Sequence, residues 1–367
     1  MTWSASAALR FVGGGVLVLA AAYGVSEAVD PVAPALQARV ALFSERKPIV
    51  EAVAVGNSHG GVLEFPELGV QGMHFSAAGQ DAFEAAYLAR YAAERAPRLR
   101  YVLFATWYGV QWNDHAVPGS TDLRGRRRHL YVRTPLQGPI PGDLDLWFTG
   151  MLAPVVRDDH WRGVARRLLR PGAGIRLTAD GRTIVPETPP LTPDSLRRHG
   201  AAVGAAHRAL GEEIAARAPR TPARVAAALD ALARDLRARN VALVLYTPPY
   251  HESYRATHDP AVLAETRAIL ERIVAEHPNA MWLDYYADPR FAARDDLFSN
   301  SDHLNRTGGR VFSRLLGACI RSARPRTGAP PETGGCPAAG APVASARPHA
   351  PGAAAPTPSR TAAEEPQ

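Results

Sequence analysis

Two short motifs, one early in the chain and one late, carry side chains that suit acyl-transfer chemistry. The first, GNSH at residues 56–59, directly follows a mostly apolar run at residues 49–55. The second, DHLN at residues 302–305, precedes the last segment with a helical apolar period. A serine hydroxyl is a weak nucleophile that needs a base such as histidine to take its proton. Ser58 is therefore the candidate nucleophile and His303 the candidate base.

Strands that alternate with helices must bring these motifs together. The runs at residues 50–55, 101–105 and 241–246 are mostly apolar, as expected of strands that are covered on both faces. Further strands are predicted at residues 69–75 and 281–285, and segments with apolar residues at helical spacing separate the strands. This alternation predicts an α/β fold with a parallel sheet and right-handed crossovers.

The candidate site residues follow predicted strand ends, where parallel sheets bind their ligands. We expect the backbone N–H groups of Ser58 and Gly79 to hold the oxyanion, with the Asn113 side chain as a further donor. His59 and His251 are candidate substrate-binding residues, although an exposed loop position is the plainer interpretation of His251. GNSH alone is also an ordinary turn. Its combination with DHLN in one α/β pattern favours a site.

The chain divides into an N-terminal segment, a domain with an insertion, and a tail. Residues 1–30 contain an apolar stretch that predicts a signal peptide or a membrane anchor, and hence an extracytoplasmic location. Residues 48–322 form the α/β domain. At about residues 111–193 an irregular insertion either overhangs the site or is a surface excursion. Residues 323–367 are rich in Pro, Ala and Gly and are predicted to be disordered.

The bulk composition is that of a globular protein. Of the 367 residues, 46% are hydrophobic and 21% charged, which is enough for a sizeable core. Despite the net charge of +7, no nucleic-acid partner is expected, and we interpret the arginines at residues 124–128 as a solvated loop. Cys319 and Cys336 lack a metal-type spacing, so neither a metal nor a cofactor is expected; their pairing is left open.

These motifs resemble the blocks of the SGNH (GDSL-like) hydrolase superfamily. Residues 56–59 resemble the first block, Gly79 the glycine of the second, and residues 302–305 with Gly308 the last. The resemblance implies a flavodoxin-like three-layer sandwich and a serine esterase or O-acyltransferase. The arrangement is similar to that of extracytoplasmic members that acylate cell-surface polysaccharides or teichoic acids beside a membrane-bound acyltransferase. It implies an acyl ester or glycan substrate.

Two departures from the family pattern leave the activity open. The last block usually has an aspartate three residues before the histidine, and this chain has Asn300 there. Asp302 is a substitute, but a residue adjacent to His303 is expected to point elsewhere. WND at residues 112–114 keeps the Asn-Asp pair of the third block, several residues beyond the predicted strand end. The alternative function is therefore a catalytically degenerate relative that binds a glycan or a partner without turnover.

A second fold assignment shares the serine motif. GNSHG at residues 56–60 also meets the G-x-S-x-G pattern of α/β-hydrolases. In that fold several strands precede the nucleophile, whereas Ser58 follows the first predicted strand. The position of the serine, together with the DHLN motif, favours the SGNH-like interpretation.

Overall fold

A five-stranded parallel sheet forms the centre of the protein. The computed structural model describes residues 5–29, 34–116, 138–148, 176–184, 191–292 and 294–322, together with Arg127, Leu130, Tyr131, Arg133 and Thr134. The strands of the sheet are β1 (Ala52–Gly56), β2 (Gly72–His74), β3 (Tyr101–Ala105), β4 (Ala242–Thr247) and β5 (Ala280–Asp284). Their spatial order is β2-β1-β3-β4-β5, which is the order of flavodoxin-like sheets. The predicted fold class is confirmed.

Helices connect the strands and cover both faces of the sheet. In chain order they are α1 (Ala5–Val29), α2 (Pro34–Arg46), α3 (Phe65–Leu68), α4 (Ala82–Arg95), α5 (Pro193–Arg217), α6 (Thr221–Arg237), α7 (Glu252–Arg255), α8 (Pro260–Glu276), α9 (Pro289–Ala292) and α10 (Arg306–Ser322). Two short strands, β6 (Phe298–Asn300) and β7 (His303–Leu304), pair antiparallel outside the main sheet.

Each strand buries alternate side chains in two separate cores. Along β1, Val53 and Val55 belong to the core formed with α2, α4, α6 and α8. Ala52 and Ala54 belong to the core formed with α3 and α10. Successive side chains of a strand point to opposite faces, and both faces are covered here, so every position favours an apolar residue. This explains why the apolar runs in the sequence predicted the strands.

The carboxyl ends of the central strands lie level with one another. Gly56 of β1 pairs with Ala105 of β3, and Ala105 pairs with Tyr246 of β4. Gly56 has a φ of 103°, and a Cβ there would lie 2.7 Å from the Ala105 carbonyl oxygen. This position therefore requires glycine, both for its backbone angle and for the close approach of β3. The residues that follow β1, β3 and β4 gather at one edge.

The domain begins before the predicted boundary at residue 48. The ring of Phe43 on α2 is fully buried and packs against Phe75 and Tyr91, with ring centroids 5.2 and 5.7 Å apart. The helix α2 is therefore part of the domain core. It was missed because its remaining surface is largely polar or half-exposed.

The helix α1 covers most of the segment predicted as a signal peptide or membrane anchor. Its described large apolar side chains, such as Leu9 and Phe11, are exposed. None of the described helices combines the length and the apolarity that a membrane crossing requires. The extracytoplasmic location stays a prediction.

The described parts of the predicted insertion pack against the domain. Beside β2, the His74 N–H donates to the Asp180 carbonyl oxygen over 2.8 Å, and Arg182 forms an ion pair with Glu64 at 2.6 Å. The tail at residues 323–367, which includes Cys336, lies outside the described residues.

The helix α5 was not predicted from the sequence. Its inner face carries Gly200 and Gly204 where an apolar stripe would normally lie. A Cβ at Gly200 would lie 2.3 Å from the Ser253 hydroxyl oxygen, and a Cβ at Gly204 only 1.8 Å from that of Thr257. Small residues are needed because α5 approaches the α7 region closely. Close packing through glycine leaves no hydrophobic period for sequence reasoning to detect.

Candidate active site

The two predicted catalytic side chains meet at the carboxyl edge of the sheet. Ser58 Oγ lies 2.6 Å from His303 Nε2, although the residues are 245 positions apart in sequence. Ser58 is half-buried, and 25% of the His303 side chain is exposed. A hydroxyl in hydrogen-bond range of a partly exposed imidazole is the arrangement that a serine nucleophile and its base require.

The turn after β1 positions the Ser58 hydroxyl. Asn57 keeps an extended backbone (φ −70°, ψ −166°) and caps the 3₁₀ helix Ser58–Val62, where its Oδ1 accepts the His59 N–H over 3.2 Å. The chain therefore leaves the sheet at Gly56, turns at once, and presents Ser58 as the first residue of a short helix. The favoured turn residues Gly, Asn and Ser in this order make the exposed serine a local property of the sequence.

Two side-chain oxygens orient the ring of His303. Nδ1 of His303 lies 3.2 Å from Asn300 Oδ1 and also 3.2 Å from Asp302 Oδ2. Because both groups accept hydrogen bonds, they favour the tautomer with the proton on Nδ1, which leaves Nε2 free to accept the Ser58 proton. The expectation that Asp302 points elsewhere is therefore wrong. The tight connection from β6 to β7 folds the chain so that the adjacent carboxylate reaches the ring.

Asn300 also shapes that connection. Its Oδ1 accepts the backbone N–H groups of Asp302 and His303, over 3.2 and 2.7 Å. One amide oxygen thus holds both the turn and the base. The Asn300 amide and the Asp302 carboxylate thus both face Nδ1 of His303, and the carboxylate carries the negative charge.

The Asp302 carboxylate supplies the negative charge beside the base. Burial by itself raises its pKa, but the hydrogen bond and the charge of His303 outweigh burial and hold the pKa below its ordinary value. Asp302 is therefore an anion at neutral pH. An anion next to Nδ1 stabilises the imidazolium that forms when Ser58 gives up its proton.

The ring of His59 packs against the ring of His303. Its ring stacks on that of His303, with centroids 4.5 Å apart and planes 10° apart. Nε2 of His59 lies 2.8 Å from the Asp302 carbonyl oxygen, and Nδ1 lies 2.9 Å from Asn57 Oδ1. Burial, followed by the like charge of His303, lowers the pKa of His59 to about 3. The structure therefore places this predicted substrate-binding residue as a neutral support for His303.

His251 lies inside the protein rather than on an exposed loop. Only 2% of it is exposed, which contradicts the plainer expectation. Nδ1 lies 2.8 Å from Ser253 Oγ and Nε2 lies 3.0 Å from Asp295 Oδ1. Its backbone N–H donates to the Ser301 carbonyl oxygen over 3.1 Å. The backbone of His251 thus holds the loop that carries Asp302. Both ring nitrogens have hydrogen-bond partners within the protein, so a substrate contact would have to break one of these hydrogen bonds.

The loop that carries Gly79 is tied to the turn of the nucleophile. The Ala77 N–H donates to the Gly56 carbonyl oxygen over 3.1 Å, and the Gly56 N–H donates to Gln80 Oε1 over 2.6 Å. Among the described residues, no protein acceptor takes the N–H of Ser58 or of Gly79. Both donors remain available for an oxyanion. Gln80 was missed, although a buried glutamine directly after a predicted oxyanion glycine was a usable signal.

Asn113 lies on the segment after β3, separate from the turn that carries Ser58 and the loop that carries His303. It follows the 3₁₀ helix Val110–Trp112 and lines a cavity next to the end of β3. Within the described part of the chain, no hydrogen bond joins Asn113 to Ser58 or to His303. Its role as an oxyanion donor stays a prediction.

A second group of charged side chains is buried inside the domain. We call it the buried charge cluster, and its members are Asp81, Glu84, Asp114, His115, Arg127 and Asp143. The Arg127 guanidinium lies 2.5 Å from Asp81, 2.6 Å from Asp143 and 3.3 Å from Asp114. The prediction that the arginines at residues 124–128 form a solvated loop is therefore wrong for Arg127, which is fully buried. The others lie outside the described residues.

The buried charge cluster joins two loops of the candidate site. Asp81 directly follows the Gly79–Gln80 turn, and its Oδ2 accepts the His115 N–H over 2.8 Å. Asp114 follows Asn113 and faces the same arginine. Burial raises the pKa of Asp81, but Arg127 outweighs it, and the net pKa is below the ordinary value. The carboxylates and Arg127 thus hold both loops relative to each other.

Side chains of the types that bind metal ions lie close together at three places in the described part of the chain. Ligand atoms lie within 4.8 Å of one another in three groups of described residues: His59, Asp302 and His303; Asp81, Glu84 and His115; Asp230, Glu276 and His277. In the first group the ring nitrogens already contact protein oxygens, and in the second the Arg127 cation faces the carboxylates. A metal would displace these interactions. That no metal or cofactor takes part stays a prediction.

Comparison with known proteins adds no relative to this description. No protein-family model matches the chain, and no curated protein matches it. The SGNH-like interpretation therefore depends on the motifs and on the geometry of the site.

Proposed function

We propose that the protein is a serine esterase or O-acyltransferase of the SGNH (GDSL-like) type. The observation that carries the proposal is the 2.6 Å separation of Ser58 Oγ and His303 Nε2, with Asp302 and Asn300 at the other ring nitrogen. A nucleophile, its base and an orienting group in hydrogen-bond reach are the recurring constellation of acyl transfer. They lie at the sheet edge where this architecture binds its ligands.

In the first half-reaction, Ser58 Oγ attacks the carbonyl carbon of an acyl ester while His303 Nε2 takes the hydroxyl proton. The bond between the carbonyl carbon and the leaving oxygen then breaks, and His303 returns the proton to that oxygen. The acyl group stays on Ser58. In the second half-reaction, water or a sugar hydroxyl attacks the acyl-serine with His303 as base, and Ser58 is regenerated.

The oxyanion of each tetrahedral intermediate needs donors that are already in place. The N–H groups of Ser58 and Gly79 support this role, since the Gly79 loop is bonded to the turn of the nucleophile. Donors of this kind typically contribute about 10²–10³ in kcat each. Asp302, held as an anion, stabilises the imidazolium in the same steps.

We further propose that the protein acts at the cell surface. The substrate is then an acyl ester of a glycan outside the cytoplasm, and a membrane-bound acyltransferase is the partner. The motif resemblance and the apolar N-terminal stretch support this. Fusing residues 1–33 to a reporter that is active only after export tests the location: an inactive reporter would contradict it.

The alternative is a relative that binds a glycan or a partner without turnover. Asn300, which stands where the family has an aspartate, favours this alternative. The Asp302 carboxylate at 3.2 Å from His303 Nδ1 favours activity, since it supplies the missing charge. Glycan binding that survives the loss of both Ser58 and His303, without esterase activity, would support the alternative.

A fluorophosphonate probe tests the proposal directly, because it reacts with activated serines. We expect labelling of the wild type, no labelling of Ser58→Ala, and strongly reduced labelling of His303→Ala. Ser44→Ala is a matched control, since Ser44 is an exposed serine on α2, and it should label normally. Labelling that persists in Ser58→Ala would rule out Ser58 as the nucleophile.

A further inference from the structure

A cavity of about 130 Å³ lies beside the end of β3. Its walls come from the segment after β3, from α5 and from the start of α8. The apolar and aromatic part of its lining consists of Trp107, Tyr108, Trp112, Leu210, Ile214 and Val262. For comparison, an engineered cavity of about 150 Å³ with apolar walls stays dry and binds benzene. The volume therefore suits a ligand portion of about six carbon atoms.

The charged residues among the described lining of this cavity lie at exposed positions. Arg208, Glu212 and Asp259 contribute to its lining, and all three are exposed. None of these charges is buried in the interior, so the inside favours an apolar group. A ligand with an apolar chain and a polar end fits this distribution.

The cavity lies on the same sheet edge as the reactive pair. Gly56 and Ala105 are paired in register, and Ser58 and Trp107 each lie two residues beyond them. Neighbouring strands are about 4.8 Å apart. The segment that lines the cavity and the turn that carries Ser58 therefore follow neighbouring strands at this edge of the sheet.

The helix α5 connects the cavity to the catalytic loop. His199 Nδ1 on α5 lies 2.8 Å from Ser301 Oγ, directly before Asp302. Two turns later, His207 lines the cavity and packs edge-on against Trp107, with ring centroids 5.6 Å apart. Burial lowers the pKa of His207, and the charges of Asp302 and His303 also act on it. One helix thus spans the space between the base and the cavity.

We propose that this cavity is the acyl-chain subsite of the Ser58–His303 site, and that the protein prefers apolar acyl chains of about six to eight carbons over acetyl. This inference rests on the proposed esterase or acyltransferase function. It assigns the acyl group of the substrate, while the leaving group or acceptor lies on the exposed side of Ser58.

A chain-length series of p-nitrophenyl esters, from acetyl to decanoyl, tests the preference. Each methylene that enters the cavity should raise kcat/KM about fourfold, up to the length at which the cavity is full. Longer chains should gain nothing further. A flat series, or one that falls from acetyl onward, would overturn the inference.

Filling the cavity gives a sharper test. Gly211 lines the cavity, and a Cβ added there would have no atom within 4 Å. Gly211→Leu should therefore fold, because leucine also favours a helix more than glycine. We expect kcat/KM for octanoyl esters to fall about tenfold or more, with acetyl esters within about twofold of wild type. Ala206→Leu, on an exposed position of the same helix, should change neither. An equal loss for both esters in Gly211→Leu would contradict the subsite.

A binding measurement separates this inference from the proposed function. Octanoate titrated into Ser58→Ala should bind, and the added Gly211→Leu substitution should abolish the binding. If no ester is hydrolysed and no serine is labelled, the proposed function fails, but this binding pattern would still support an acyl-chain cavity. If esters are hydrolysed and octanoate does not bind Ser58→Ala, the cavity inference fails alone.

Discussion

Two of the clusters that combine histidine with carboxylates in the described part of the chain differ in what surrounds the imidazole. In the first, His303 Nδ1 faces Asp302 and Asn300, while Nε2 faces the Ser58 hydroxyl. In the buried charge cluster, His115 Nδ1 lies 3.0 Å from Glu84 Oε1, and the Arg127 cation lies among the carboxylates. Histidine and carboxylates thus lie beside a serine hydroxyl in the first cluster and beside a cation in the second.

Exposure is the second difference. The His303 side chain is 25% exposed, whereas that of His115 is 1% exposed and that of Arg127 is fully buried. A substrate can approach the first cluster, and the second is closed by the chain itself. A histidine–carboxylate cluster can act on a substrate only where the substrate reaches it and a reactive group lies beside it. In the buried charge cluster, the ion pairs hold loops in place instead.

The largest effect is expected from breaking the open cluster at its base. His303→Gln removes the proton acceptor of Ser58, so kcat for ester hydrolysis should fall by about 10⁴ or more. The free energy of unfolding should change little, because the side chain is partly exposed. Ester hydrolysis and urea unfolding measure the two effects. Activity within tenfold of wild type would show that His303 is not the base.

Breaking the sealed cluster should act on stability instead. Arg127→Met leaves the carboxylates of Asp81 and Asp143 buried without their cation, which should cost about 3–5 kcal/mol in the free energy of unfolding. Arg90→Met is the matched control, because the Arg90–Asp235 ion pair is partly exposed, and it should cost about 1 kcal/mol or less. Urea titrations measure both. Similar costs for the two variants would contradict the structural role of the cluster.

The charge beside the base should matter more than the amide. Asp302→Asn keeps the shape but removes the anion, so kcat should fall about 10²–10⁴-fold. Asn300→Ala removes an acceptor of Nδ1 and of two backbone N–H groups, and should cost about tenfold in kcat. Steady-state kinetics rank the two. A larger loss in Asn300→Ala would mean that the amide, rather than Asp302, carries the catalytic role.

The smallest effect on activity is expected at His59. The pH dependence of the free energy of unfolding is the clearer test of this residue. His59→Phe keeps a ring against His303 and loses two polar contacts, so kcat should fall about tenfold or less. The pKa of His59 is lowered to about 3 in the folded protein, from 6.5. The unfolded chain therefore binds this proton more readily, and stability falls as the pH drops from about 6.5 towards 3.

The Phe variant lacks this group, so it should lose less stability than wild type over the same interval. Asp302 also loses stabilising contacts in acid, but only below its ordinary pKa of 3.8, since its folded pKa is lowered. Urea unfolding at pH 7, 5.5 and 4.5 separates the two groups. Identical pH dependence in wild type and variant would contradict a buried neutral His59.

The elements that carry the site were predictable to different degrees. The strand at residues 101–105 was located correctly, because a strand covered on both faces needs an apolar residue at every position. The pairing of Ser58 with His303 followed from the rule that parallel strands end at a common edge. The helix α5 escaped prediction, since Gly200 and Gly204 replace the apolar stripe that marks most helices.

The orientation of side chains was the least predictable feature. Asp302 was expected to point away from His303, and the turn between β6 and β7 brings its carboxylate to 3.2 Å. Arg127 was expected in solvent, and it lies buried among carboxylates from three separate segments. His251 was likewise expected on an exposed loop, and it is buried. In each case the deciding contacts come from residues that are distant in sequence or from the exact path of a turn.

The amino-acid sequence specifies the strand runs, the glycine that ends β1, and the serine and histidine side chains available for chemistry. These are local properties, since backbone angles, turn residues and apolar patterning act over a few neighbouring positions. Long-range packing sets which carboxylate faces His303, which arginine is buried, and where an apolar cavity opens. Those outcomes depend on distances between segments far apart in the chain, which short-range patterns do not encode.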